Sequence, residues 1–134
     1  AYAHYGNHLF NRRQYEQADE YYLKAAELYP DEAAFALSRG ICNYYLKKYD
    51  IARYELERTR SDHPDSADLL FYLGLVLYET DNRQQAMELW EQALRLAPGR
   101  PDLINLLKKA RKETAVEDSM DRSHSSRFNL TLFR

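Results

Sequence analysis

ADLLFYLGLVLYETDNRQQAMELWEQALRLAPGR, residues 67–100, is the stretch on which the fold turns. Gly74 stands within a strongly apolar run. Ala86 and Trp90 stand four apart on a second, more polar run, Ala93 follows three further on, and Pro98 closes the stretch. The pattern reads as two helices over about 67–80 and 83–96, the second ended by a proline that lacks an N–H and clashes with the preceding turn. Thirty-four residues upstream the same marks return as Gly40, Ala52, Leu56, Thr59 and Pro64. Thirty-four before those stand Gly6, Ala18, Tyr22, Ala25 and Pro30. The chain holds four Gly and four Pro, so three of each on one period is hard to reach by chance. The period itself is the sign of a repeat architecture.

The columns have physical reasons. A Gly on the first helix of each pair, facing a small Ala on the second, lets two backbones approach closely, and the large Tyr22, Leu56 or Trp90 fills the space beside that contact. Asp31 and Asp65, just past their prolines, are placed to help cap the next helix. The expected helices are about 1–12, 15–28, 33–46, 49–62, 67–80 and 83–96. A seventh, opened by Pro101, runs to about 114 with a polar outer face at Lys108, Lys109, Arg111, Lys112 and Glu113, as suits a helix that caps a stack. Repeat 2 departs most from the pattern: Arg39 stands where Tyr5 and Leu73 do, and Arg53, Arg60 and Asp62 make its second helix unusually polar.

This pattern resembles the tetratricopeptide repeat (TPR) family, with a 34-residue unit of paired antiparallel helices. The resemblance implies an all-α, right-handed α-solenoid of three helix-turn-helix repeats, about 1–32, 33–66 and 67–100, with the capping helix at 101–114. The TPR domain is thus expected over 1–114. Residues 115–134 are expected to form a polar linker and an extended, strand-like tail, because Phe128, Leu130 and Leu132 alternate with Asn129 and Thr131. The missing initiator Met, and a first repeat that lacks its first two positions, suggest a piece of a longer protein.

Composition narrows the function. Lys and Arg total 19 against 21 Asp and Glu, so a net charge of −2 offers no field for a phosphate backbone, and nucleic acid is not an expected partner. No apolar run is long enough to span a membrane, and the chain is read as soluble, cytoplasmic or bacterial periplasmic. One cysteine, Cys42, excludes an intrachain disulfide and suits a packed helix. His4 and His8 have the spacing of two metal ligands, but no acidic partner stands between them and no third ligand is evident. No catalytic, metal or cofactor site is expected, and the chain is not read as an enzyme.

The family resemblance implies that function lies in the groove lined by the first helix of each pair. Carried onto this sequence, its binding positions give Asn7 and Phe10 in repeat 1, then Leu37, Ile41, Tyr44 and Tyr45 in repeat 2, and Phe71, Leu75 and Tyr78 in repeat 3, with Asp68 and Glu79 alongside. Co-chaperone members use Lys, Arg and Asn at such places to clamp a terminal carboxylate. Here Asn7 alone matches, so the groove is read as apolar and aromatic, a receptor for a peptide or helix with apolar anchors. Ile41 and Leu75 suit packing between repeats equally well.

The tail residues Phe128, Leu130, Leu132 and Phe133 are a candidate ligand for that groove, in the same molecule or a neighbour. A flexible linker of the length of 114–127 spans roughly 20 Å, and tethering supplies an effective concentration on the order of mM. Self-association through the tail or groove follows from the same reading. Two alternatives stand beside this scaffold or adaptor function. One is a regulatory or substrate-positioning domain of a larger enzyme, since SSRFNLTLFR bears a faint similarity to the segment where some bacterial repeat proteins pass into a peptidase-like domain. The other is a secretion-type chaperone, a class in which some members consist of three such repeats.

Overall fold

The structure is a computed structural model that describes the backbone of residues 1–132 and the side chains of residues 1–120. Its described residues form seven helices and no strand: α1 (Tyr2–Asn11), α2 (Tyr15–Leu28), α3 (Ala33–Tyr45), α4 (Tyr49–Asp62), α5 (Ala67–Glu79), α6 (Arg83–Leu96) and α7 (Pro101–Leu132). The first six match the expected boundaries to within a residue. They pair in sequence, α1 with α2, α3 with α4 and α5 with α6, and each pair packs on the next through α2 on α3 and α4 on α5. The chain divides into two compact units, Ala1–Gly99 and Arg100–Arg134.

The glycine column holds each pair together in a way more specific than small residue against small residue. A Cβ on Gly6 would lie 2.8 Å from the Tyr22 ring, and one on Gly40 would lie 2.7 Å from Leu56; one on Gly74 would fall inside the Trp90 indole. The hydrogen-only side of each glycine is therefore the seat of the large residue one turn past the Ala column. Trp90 is fully buried there and donates its Nε1–H to the Phe71 carbonyl at 3.1 Å. Leu69, Leu70, Leu73 and Val76, all fully buried, fill the surroundings of α5.

Each first helix ends on a non-glycine residue in the left-handed region: Arg13, Lys47 and Asp81, with φ of 62°, 61° and 62°. The amide that follows reaches back six residues, counted inclusively, in all three: Gln14 to Leu9, Lys48 to Asn43 and Asn82 to Leu77, at 2.8–2.9 Å. These hydrogen bonds satisfy carbonyls that the helix end would otherwise leave open. At the other turns the caps differ from expectation. Asp31 and Asp65 precede the N-cap positions, which fall on Glu32 and Ser66, and it is the Ser66 hydroxyl that accepts the Leu69 amide at 3.3 Å.

The second unit corrects the reading of the C-terminus. Helix α7 does not stop near 114: it continues to Leu132, so the expected linker and extended tail are helical over 115–132. No Gly or Pro follows Pro101, so nothing in the sequence terminates the helix, and a lone strand would leave both edges of its backbone unpaired. Five alternating residues were too short a pattern to outweigh that. The side chains of Phe128, Leu130 and Leu132, and Phe133 altogether, lie outside the described residues. At its start α7 carries Pro101 in the first helical position, and Asp102 accepts from Arg100 at 2.7 Å and from the Leu103 amide at 2.9 Å. The Arg100 hydrogen bond holds the Asp102 carboxyl below its ordinary pKa.

Candidate functional site

None of the nine side chains nominated for the groove is fully buried. Phe10, Leu37, Ile41, Tyr44, Phe71, Leu75 and Tyr78 are half-buried, while Asn7 and Tyr45 are exposed. The residues of α3 and α5 that do disappear are their neighbours on other faces, such as Cys42, Asn43, Val76 and Leu77. Ile41 and Leu75, for which packing between repeats was an equal reading, keep part of their surface in solvent.

Four of the nine are joined by rings. Phe10 of α1 lies 6.0 Å from Tyr45 of α3, centroid to centroid, and Tyr45 lies 5.2 Å from Tyr44. Both α3 tyrosines meet Tyr72 of α5, at 6.1 and 6.2 Å, and Tyr72 meets Phe71 edge-on at 5.1 Å. The Tyr45 and Tyr72 hydroxyls are 3.3 Å apart, close enough for one to donate to the other. Edge-to-face pairs at such separations are favourable because the positive rim of one ring meets the negative face of the next. A continuous aromatic surface thus runs across the first helix of all three repeats.

Three members of this surface were not among the nominated positions. Tyr15, at the start of α2, stacks on Tyr45 at 4.8 Å with the planes 13° apart, and also meets Phe10 at 5.3 Å. Tyr49, at the start of α4, lies 6.2 Å from Tyr44. Tyr15 and Tyr49 stand 34 residues apart, in a column that Arg83 breaks in repeat 3, and the sequence does not show their direction toward the groove. Tyr72 carried no such signal, since His4 and Ser38 hold its place in the other repeats.

The remaining nominated residues have other engagements. The Tyr22 hydroxyl donates to Asn7 Oδ1 at 2.6 Å, so the one residue matching a carboxylate clamp spends its acceptor holding α1 to α2. Tyr78 rests on Trp90 at 5.5 Å, with the Arg83 guanidinium 5.2 Å above its ring. Burial, and then the nearby Glu79 carboxylate, raise the Tyr44 pKa above its ordinary value, so its hydroxyl stays a donor at any physiological pH.

Repeat 2 gathers a set of buried and half-buried charges. Arg39 of α3 donates to Asp19 of α2 at 3.0 Å and to Glu55 of α4 at 3.3 Å; Arg58 adds a bond to the second Glu55 oxygen at 2.8 Å. Asn43, also buried, donates to Asp19 at 3.2 Å. The anomaly noted at Arg39 is thus part of one cross-helix network. Beside it, Cys42 is fully buried, and burial followed by the Asp19 carboxylate pushes its thiol up to about 12. Among the described residues no group of three or more His, Cys, Asp or Glu is placed to hold a metal ion, and no helix is long and apolar enough to cross a membrane.

Models of the tetratricopeptide repeat match residues 67–100 and residues 6–55, together more than half of the chain. A curated relative, the "Protein CTR9 homolog" of Arabidopsis thaliana, is 28% identical over 102 residues, 73% of this chain; the chain spans 9% of that protein's length. Among solved structures, the first TPR domain of Spaghetti (RPAP3) bound to the HSP90 peptide SRMEEVD superposes with a TM-score of 0.80 at 20% identity, over 85% of this chain and 90% of that one. The type III secretion translocator chaperone SycD of Yersinia enterocolitica gives 0.76 at 16% identity, over 84% of this chain and 91% of its own. At these identities the likeness is one of fold. With the 34-residue columns, the glycine seats and the paired helices beside these matches, the chain belongs to the tetratricopeptide repeat family.

Proposed function

We propose that this chain is a protein-interaction module that binds a peptide or helix with apolar anchors on the face formed by α1, α3 and α5. The observation that supports this reading is the aromatic surface from Phe10 through Tyr45 and Tyr44 to Tyr72 and Phe71, left partly in solvent across three repeats. Aromatic side chains offer large contact area at low cost in conformational entropy. Each apolar anchor buried against them contributes about 1.5–3 kcal/mol before ordering costs. The neighbouring Spaghetti domain is bound to an acidic peptide, SRMEEVD. The nominated positions here carry no Lys or Arg, and Asp68 and Glu79 stand among them, so an acidic tail is disfavoured by charge. The proposal assigns no catalytic step to the chain.

Fluorescence anisotropy with labelled SSRFNLTLFR, residues 125–134, and labelled SRMEEVD tests it on the full chain and on a chain ending at residue 114. The shortened chain is expected to bind the apolar peptide, with Tyr45→Ala and Phe71→Ala each weakening it, and to ignore SRMEEVD. Binding that appears only after shortening identifies the chain's own tail as an occupant. Failure of both chains to bind SSRFNLTLFR, or equal binding by the Ala variants, overturns the proposal.

A further inference from the structure

We infer that the junction of repeats 1 and 2 carries a second binding site, distinct from the aromatic face, that accepts a lysine or arginine side chain of a partner. The structure has a half-enclosed cavity of about 400 Å³ there, walled by α2, α3, α4 and the turn from α2 into α3. Its volume lies at the small end of the range for ligand sites, about 300–1,000 Å³.

The cavity has an identifiable origin in the repeat register. Ala36, Arg39 and Glu55 line it. The residues thirty-four positions later are Leu70, Leu73 and Leu89, all buried, which fill the corresponding space of repeat 3. Substituting Ala for the first of these leucines removes volume, and substituting a charged pair for the other two replaces core by an ion pair that must be met by further polar groups. The opening therefore accompanies a local departure from the repeat pattern, Ala36, Arg39 and Glu55 standing where repeat 3 has three leucines.

Charge then selects the occupant. The inner charges are already matched: Arg39 lies between Asp19 and Glu55, and Arg58 completes Glu55. What remains on the lining is Glu27, Asp31, Glu32 and Asp62, four exposed carboxylates with no further Lys or Arg among the lining residues to balance them. Between them Leu23, Pro30 and Ala36, with the exposed ring of Tyr54, supply the apolar part of a lining that is otherwise polar. A long aliphatic stem ending in a cation meets both requirements, its methylenes against this apolar part and its charge at the acidic rim. Tyr54 already has the Arg58 guanidinium 5.8 Å from its ring centre, the kind of contact an incoming cation would reproduce.

The test is an NMR titration of the ¹⁵N-labelled full chain with N-acetyl-lysine amide, N-acetyl-arginine amide and, as control, N-acetyl-glutamate amide, at millimolar concentrations. Saturable shifts are expected with the two cations and not with the anion, confined to amides of residues 27–36 and 54–62. Ala36→Leu, which installs the residue repeat 3 uses, is expected to abolish them. Asp62→Asn and Glu32→Gln, at exposed positions that leave the core untouched, are each expected to weaken binding about two- to fivefold, the range an exposed ion pair supplies. Absence of localised shifts with either cation, or affinity unchanged in both carboxylate variants, overturns the inference. The readout does not involve the aromatic face, so its failure leaves the proposal for that face standing.

Discussion

Gly74→Ala adds one methyl group and is expected to destabilise the chain by about 1–3 kcal/mol. The added Cβ would stand 2.6 Å from Trp90 Cδ1 and 2.9 Å from Cε2, where ordinary contact begins at 3.4 Å. The indole has no free direction in which to retreat, being fully buried and tied by its N–H to the Phe71 carbonyl at 3.1 Å. Overpacking of this sort costs about 1–3 kcal/mol, and a stretched or broken Trp90 hydrogen bond about 1 kcal/mol more. Against these, Ala is favoured over Gly in a helix interior by about 1 kcal/mol. Urea unfolding followed by the fluorescence of Trp90, the one tryptophan in the chain, reads the site itself. Gly99→Ala is the control, since nothing lies within 4 Å of a Cβ built there. Gly40→Ala should fall between, because the branched end of Leu56 yields more readily than a rigid ring system held by a hydrogen bond. A Gly74→Ala variant as stable as the parent, or a Gly99→Ala variant equally damaged, would refute the view that the glycine column exists to seat the large residue opposite.

Arg39→Leu is expected to cost about 3 kcal/mol, because it leaves the Asp19 and Glu55 carboxylates facing the vacated space without their shared cation. Adding Asp19→Met and Glu55→Leu, the residues found one or two repeats on, should recover most of that loss in urea unfolding; a triple variant no better than the single one argues against a charge network. Lys47→Gly should stabilise by about 0.5–1 kcal/mol in thermal unfolding, since a left-handed φ of 61° strains any side chain with a Cβ; a loss of stability contradicts this. Folding raises Cys42 from 9.0 and Tyr22 from 10.0 to about 12 each, burial being the larger cause in both. The unfolded chain therefore releases these protons first, so their contribution is intact below about pH 9 and declines between about pH 9 and 12. Urea midpoints at about pH 8 and pH 10.5 should show that decline, smaller in Cys42→Ala, and a native Cys42 should resist thiol reagents near neutrality.

How much of the candidate site could be read in advance varied with the kind of signal. Phe10, Tyr44, Tyr45 and Phe71 are nominated by their repeat positions, and the structure joins them by ring contacts. Tyr72 was missed because its membership depends on how α3 and α5 sit side by side, which no single-helix pattern records. Asn7 was nominated for a ligand, yet its acceptor is taken by Tyr22, a pairing set by the distance between two helices. The extended tail expected from local alternation is helical to Leu132 instead, because no Gly or Pro ends the helix that precedes it.

The repeat is written in the amino acids without help from any fold. Gly, Ala and Pro at 34-residue intervals act through local sterics, the close approach of two helices and the termination of the second, so their effects are visible wherever they recur. The boundaries of the six repeat helices are legible in the same way, because each is set by residues within a turn or two. What the exceptions do emerges only from packing. Arg39, Asp19 and Glu55 come from three different helices, and their assembly turns three isolated departures into one compensated network with a cavity beside it. The physical reason is range: periodic features act over a few residues of backbone, whereas charge pairing, ring contact and empty volume depend on the distance between elements far apart in the chain.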